Sequence, residues 1–134
     1  MIHGIDIFML LVAPTGTCWD WFVGHIFGDW LFGQNDWMAF NKKEKGWKGF
    51  LACSLHCLIY TFWIIAFTHW PIWTWPVIFV THFAIDRTKF VGWFLKKMGR
   101  SKLLEEPMHP WAWITVDNSI HYVSLYFIWK LLIV

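Results

Sequence analysis

Four stretches of this chain are apolar for long enough to form membrane-length helices, and short polar connections separate them. They run over residues 18–40, 47–69, 72–95 and 110–133, each near the ~20 residues that a helix needs to cross a bilayer. The first dozen residues are apolar too, but they are too short to span and run into Pro14-Thr15-Gly16-Thr17. They predict an interfacial or re-entrant stretch ahead of the first full helix. With no basic start, with His3 and Asp6 inside, and with no convincing cleavage site, they do not read as a removable signal peptide. Thr15 or Thr17 is a candidate cap for the first helix, and Pro71 and Pro110 sit where a first turn tolerates a missing amide. Pro76 marks either the true start of the third helix or a kink in it. The pattern predicts an all-α membrane protein: four transmembrane helices in an up-down bundle, one domain over residues 1–134.

Composition strengthens this reading. At 57% apolar and 15% charged residues, with a mean hydropathy of +0.44, the chain is too apolar for an ordinary soluble domain of its size. Tryptophan favours the membrane–water interface, and most of the 13 tryptophans fall near segment ends. Trp19, Trp21, Trp70, Trp73 and Trp75 are expected at one interface, and Trp37, Trp47, Trp93, Trp111 and Trp113 at the other.

Charge then orients the bundle. The first connection carries Lys42, Lys43, Lys45 and Lys48, and the third carries Lys96, Lys97, Arg100 and Lys102, whereas Thr68 to Thr74 has no Lys or Arg. By the positive-inside rule, loops 41–47 and 96–109 are cytoplasmic and both termini lie on the outer side, in a multi-pass integral membrane protein. A net charge of +2 without a basic stripe excludes nucleic-acid binding and leaves membrane lipids as the expected partner. Three cysteines, Cys18, Cys53 and Cys57, in or beside apolar segments argue against a secreted disulfide framework and for small-residue packing.

Against this apolar background one polar pairing recurs: His25-x-x-x-Asp29, His82-x-x-x-Asp86 and, in reverse, Asp117-x-x-x-His121. Residues four apart share a helix face, and the reversal is what an antiparallel helix needs to match the other two. Counting along the helices places His25, His56, His82 and His121 at mid-membrane, with Asp29, Asp86 and Asp117 in a layer one turn nearer the cytoplasm. Each central Asp costs about 2.5–3.5 kcal/mol on insertion scales, so three cost roughly 8–10 without compensation. A divalent cation supplies it by neutralising carboxylates and accepting imidazole nitrogens, as one metal or as two sharing a carboxylate. Imidazole with carboxylate suits a transition metal, Zn²⁺ first and then Mn²⁺ or Fe²⁺, better than Ca²⁺ or Mg²⁺. The expected metal ligands are thus His25, Asp29, His56, His82, Asp86, Asp117 and His121, with catalytic work for Asp29, Asp86, Asp117 and Lys89. Lys89, Gln34 and Asn118 are candidate substrate contacts: Lys89 for a phosphate, the two amides for substrate oxygens or for orienting ligands.

Blander readings compete for single residues. A lone histidine in an apolar helix is usually a packing or hydrogen-bonding residue, which sets His3, His69 and His109 aside and weakens His56, which has no Asp partner. Cys53, His56 and Cys57 form a weaker soft-ligand alternative, and the order is not that of haem attachment. The leading expectation is an intramembrane metal-dependent hydrolase acting on a lipid or lipid-linked ester or phosphoester. One alternative is a divalent-cation or proton transporter using the same layers, which needs a homo-oligomer because four helices are few. The other is a non-catalytic scaffold with a structural polar network.

The run Gly24-His25-Ile26-Phe27-Gly28-Asp29-Trp30-Leu31-Phe32-Gly33-Gln34-Asn35-Asp36-Trp37 is followed by a Lys-rich loop and a helix with His56. Then come His82-Phe83-Ala84-Ile85-Asp86-Arg87-Thr88-Lys89 and Asp117-Asn118-Ser119-Ile120-His121. Together they resemble a family of small bacterial and phage membrane proteins, domain of unknown function 3307, over nearly the whole chain after residue 20. The chain departs where that family usually has Asp-Gln before the last histidine. The resemblance implies no activity, but it implies a bacterial or phage setting and so a bacterial inner membrane for this multi-pass chain. It implies that His25, Asp29, His56, His82, Asp86, Lys89, Asp117 and His121 form one recurring polar core. The site is similar in kind to intramembrane metal-dependent hydrolases, by analogy alone.

Overall fold

The computed structural model describes residues 18–134, and these are helical without any strand. The expectations for residues 1–17, including the caps at Thr15 or Thr17, lie outside them. In chain order the helices are α1 (Cys18–His25), α2 (Asp36–Asn41), α3 (Gly46–Thr68), α4 (Trp75–Arg87), α5 (Phe90–Lys97) and α6 (His109–Ile128). Helix α1 widens into a π-helical turn, Ile26–Leu31, and α6 does the same over Trp129–Ile133.

The first and third apolar stretches are each broken, which corrects the expectation of four uninterrupted helices. Within 18–40, the π turn ends at Phe32, and Asn35 starts a new helix by accepting the Met38 amide at 3.0 Å. Within 72–95, Thr88 adopts an extended backbone, and its hydroxyl replaces helical bonds on both sides. It donates to the Ala84 carbonyl at 2.7 Å and accepts the Phe90 amide at 3.2 Å. Pro76 lies in the first turn of α4 and marks its start, and Pro110 has the same place in α6. Among the described residues, α3 alone is a single helix long and apolar enough to cross a membrane.

Helix α3 is the hub, packed against α1 with its π turn, α2 and α4, while α6 closes the far side against α4, α5 and α1. The α1–α3 contact depends on Gly24 and Gly28, four residues apart on one face. A Cβ on Gly24 would lie 3.1 Å from the Ile64 Cα, and one on Gly28 would lie 3.0 Å from the Tyr60 Cα. Such small-residue spacing lets two backbones approach closely. Above the contact sits an apolar core of Trp21, Tyr60, Ile64, Trp70, Ile78, Leu125 and Ile128. Trp21 and Trp70 are buried there, so they do not mark an interface as expected, whereas Trp19, Trp73, Trp37, Trp47, Trp93 and Trp111 are exposed.

The helix α3 ends at His69, whose left-handed backbone (φ 53°) returns its amide to the Ile65 carbonyl. The first basic connection reaches α4 and α6, and Trp113 of α6 lines one cavity with Lys96 of the third connection, which places the two basic connections near one another. Arg87 donates to the Lys42 carbonyl at 3.3 Å, and the Lys43 ammonium stands 4.5 Å from the ring centre of Trp113, in the first turns of α6.

Candidate metal centre

The break between α1 and α2, the glycine-tight α1–α3 contact and the α4–α6 pairing bring the three His and three Asp of the spaced motifs together with His56. Within each motif the intrahelical pairs are 3.7 Å (His25–Asp29), 3.6 Å (His82–Asp86) and 3.5 Å (His121–Asp117) apart. The shorter contacts run between helices. His56 Nε2 is 3.1 Å from Asp29 Oδ1, 3.1 Å from Asp86 Oδ2 and 3.0 Å from His82 Nε2, and His121 Nε2 is 3.2 Å from Asp86 Oδ1. The expected stack of a histidine layer over a carboxylate layer is therefore one mixed cluster.

His56 fixes its own tautomer. Its Nδ1 faces the Gly33 carbonyl at 2.9 Å, an acceptor, so Nδ1 carries hydrogen and a neutral ring turns a bare Nε2 lone pair into the cluster. That lone pair meets two carboxylate oxygens and a second ring nitrogen. Acceptors converging at this distance need positive charge between them, as a proton or as a metal ion. A backbone carbonyl on the outer nitrogen is the usual support of a metal-bound histidine. Asp29 Oδ1, despite its 3.1 Å approach to His56, makes no aligned hydrogen bond, and Asp117 Oδ1 is likewise buried without a partner.

The donor spacing fits an ion. Donors around a tetrahedral centre with bonds of ~2.1 Å lie roughly 3.4 Å apart. In Asp29, His56, His82 and Asp86 one donor atom from each lies within 4.8 Å of the others, and the separations above span that value. Asp29, Asp117 and His121 form a second set by the same measure, sharing Asp29 with the first. Stacked rings hold the donors in place: Tyr60 over His82 with centroids 3.6 Å apart, and His82 over His121 at 4.1 Å.

His25 belongs to neither set, which corrects its place among the ligands. Its Nε2–H donates to Asn118 Oδ1 at 2.7 Å and its Nδ1 accepts from the Tyr60 hydroxyl at 3.0 Å, so both ring nitrogens are used. Asn118 is oriented by its own amide, which donates to the Ile114 carbonyl at 2.8 Å, and its oxygen also accepts from Trp30 at 2.9 Å. Gln34 donates to the Asp29 carbonyl at 3.2 Å.

Lys89 is the second correction. It is exposed and lines a different cavity, with Trp93, Lys96, Leu104 and His109. The lysine at the cluster is Lys42, whose ammonium lies 2.6 Å from Asp86 Oδ2. Burial opposes its charge, but Asp86 and Asp29 outweigh that and raise its pKa above the ordinary lysine value. Nothing in the run Lys42-Lys43-Glu44-Lys45 singles it out. Tyr60 was the other unseen member, four residues after His56 on the same face of α3. Cys53 and Cys57 are buried and face each other at 3.9 Å, outside both donor sets.

The cluster opens on one side. A cavity of about 290 Å³ is lined by Asp29, Asp117, Gln34, Lys42, Lys43 and Asn118, with Trp30 and Trp113 as walls. Two of the three donors of the second set face it, so that set has room for a further ligand.

Fold and site define an all-helical protein with a buried His/Asp cluster able to hold a metal ion. Over residues 19–134 the sequence matches the family described as protein of unknown function (DUF3307), and the chain belongs to that family. No curated protein and no solved structure matches it.

Proposed function

We propose that this chain is a metal-dependent hydrolase seated in a bacterial membrane, cleaving an ester or phosphoester of a lipid or lipid-linked substrate. One observation carries the reading: two donor sets share Asp29, one with four protein donors and one with three, and the three-donor set opens on the polar cavity. Closed four-ligand sites are structural and open three-ligand sites are catalytic. Zinc, then manganese or iron, suits the imidazole and carboxylate donors. Such an ion supplies Lewis acidity, acidifying water and polarising an acyl or phosphoryl oxygen.

The chain's own residues then divide the work. Asp29, His56, His82 and Asp86 would hold one ion, and Asp29, Asp117 and His121 would hold a second. Asp117, with one oxygen unpartnered at the cavity, takes the proton from water as it attacks; the ester bond breaks and the leaving oxygen is protonated in turn. Lys42 stabilises the developing oxyanion, the role expected of Lys89. Three carboxylates against one ammonium leave two negative charges, which one divalent cation balances. Two cations leave an excess of two positive charges, matched to a phosphate.

In the membrane the four apolar stretches span, two of them as discontinuous helices. A break at membrane depth is tolerated where protein covers it or it lines a cavity, and Gln34 in the first break lines this one. The two basic loops, 41–47 and 96–109, face the cytoplasm. A cluster with merged layers supports hydrolysis over conduction, which is served by successive stations. The test is elemental analysis of the detergent-purified protein and a His82→Ala, Asp86→Ala variant, followed by a lipid ester and phosphoester panel. Stoichiometric Zn, Mn or Fe lost in the variant, with hydrolysis that Asp117→Asn abolishes, is expected; absence of a retained transition metal overturns the proposal.

A further inference from the structure

We infer that the substrate is an amphiphile with a phosphate head and an adjoining apolar chain, the head entering the polar cavity and the chain lying in the groove beside it. This rests on the hydrolase reading for the fate of the head, but the binding site stands on its own geometry. The groove, about 630 Å³, runs along Ile26, Leu31, Trp111, Thr115, Ser119 and Tyr122, between the π turn of α1 and one face of α6. It shares Trp30, Ile114 and Asn118 with the polar cavity, so the two are continuous. Each has a volume suited to a small ligand.

The two compartments differ in chemistry as the two ends of an amphiphile do. Lys42, Lys43 and Gln34 line the cavity, and cations at the shared carboxylates would add to their pull on an anion. Lys43 is held beside the cavity by its position over Trp113. The groove offers rings and aliphatic side chains, and its serine is spent locally: Ser119 donates to the Thr115 carbonyl at 2.7 Å. At the junction the Trp30 indole donates to Asn118 Oδ1, the same oxygen that receives His25. A chain in the groove thus packs against the residue that orients His25. In a spanning bundle this face of α1 and α6 meets lipid, so the substrate enters sideways.

The probe is a dodecylphosphonate carrying a diazirine in its chain, applied to the full metal-loaded protein in detergent, with methylphosphonate as a head-only competitor. Labelling mapped by mass spectrometry is expected on Leu31, Trp111, Ile114 and Tyr122. Ser119→Trp fills the groove and should cut this labelling at least tenfold without changing metal content or methylphosphonate binding. Thr115→Phe is a second variant for the same purpose, and Lys42→Met should weaken both probes. Labelling unchanged in the filled variants, spread evenly to Phe62 and Val80, or centred on Lys89 and Trp93 overturns the inference. Methylphosphonate bound as tightly as the chain probe does so too, because the site then takes free phosphate. Groove labelling without hydrolysis of dodecyl phosphate supports the inference and overturns the hydrolase reading instead.

Discussion

Exchanging His25 and His56 in turn for glutamine separates a metal centre from a structural polar network. In sequence the ranking is clear: His25 has a carboxylate four residues on, and His56 has none. In the structure it reverses. His25 spends both nitrogens on Tyr60 and Asn118, and a glutamine there keeps a donor and an acceptor. His56 Nε2 stands within 3.1 Å of Asp29 and Asp86 and 3.0 Å from His82, at the centre of the four-donor set. Loss of a residue that only supports ligands lowers metal affinity about 10–100-fold, or about 1.4–2.7 kcal/mol. His25→Gln, which keeps both hydrogen bonds, should lose no more than that, and His56→Gln should lose more. The assay is competition for zinc with a chromophoric chelator in detergent, on variants with parental helix content by circular dichroism. Equal losses, or a larger loss for His25→Gln, would refute the assignment of ligand and supporting roles.

Three further outcomes follow from the same geometry. Lys42→Met leaves Asp86 buried without its cation, a change worth about 3–5 kcal/mol, so the metal-free variant should unfold at lower denaturant; its metal affinity should rise, because the ammonium no longer opposes the ion, and a fall would contradict the charge assignment. Gly28→Ala puts a methyl 3.0 Å from the Tyr60 Cα and 3.1 Å from its carbonyl oxygen, and should cost about 1–3 kcal/mol in thermal or denaturant unfolding. Cys53→Ala with Cys57→Ala should leave metal stoichiometry unchanged by elemental analysis, since neither thiol belongs to a donor set; loss of the metal would restore the sulfur alternative.

What the sequence disclosed of the fold was whatever depends on one helix at a time. Helix content, the start at Pro110 and, as one of two readings, the start at Pro76 are local properties, and the nearness of the two basic loops follows from helix count. The break at 32–35 had a local signal as well, since Gly33-Gln34-Asn35-Asp36 is turn chemistry with a capping Asn. The surrounding apolar residues masked it, because a 23-residue window reads as one helix when hydropathy alone is weighed. The break at Thr88 had no such signal: a threonine serving two helix ends looks like any other threonine until its neighbours are in place. Gly24 and Gly28 carried the clearest unread signal, a small-residue face that aligns α1 on α3.

The same distinction explains why His56 ranked last in sequence and stands first in the cluster. A spacing of four identifies carboxylates that can reach a histidine on its own helix, yet those pairs stand at 3.5–3.7 Å and the shortest His–Asp contacts, at 3.1–3.2 Å, run between helices. The hub helix needs no aspartate of its own, because Asp29 reaches His56 from the π turn and Asp86 reaches it from α4. A further carboxylate on α3 would raise the uncompensated charge in a buried site. Lys42 follows the same logic from outside the helices. It was indistinguishable among four loop lysines, but the loop begins beside α4, and Lys42 stands against the buried charge of Asp86. The site is thus assembled by the α1–α3 and α4–α6 contacts more than by any one motif, so substitutions at Gly28 and Asn118 should disturb it although neither supplies a ligand.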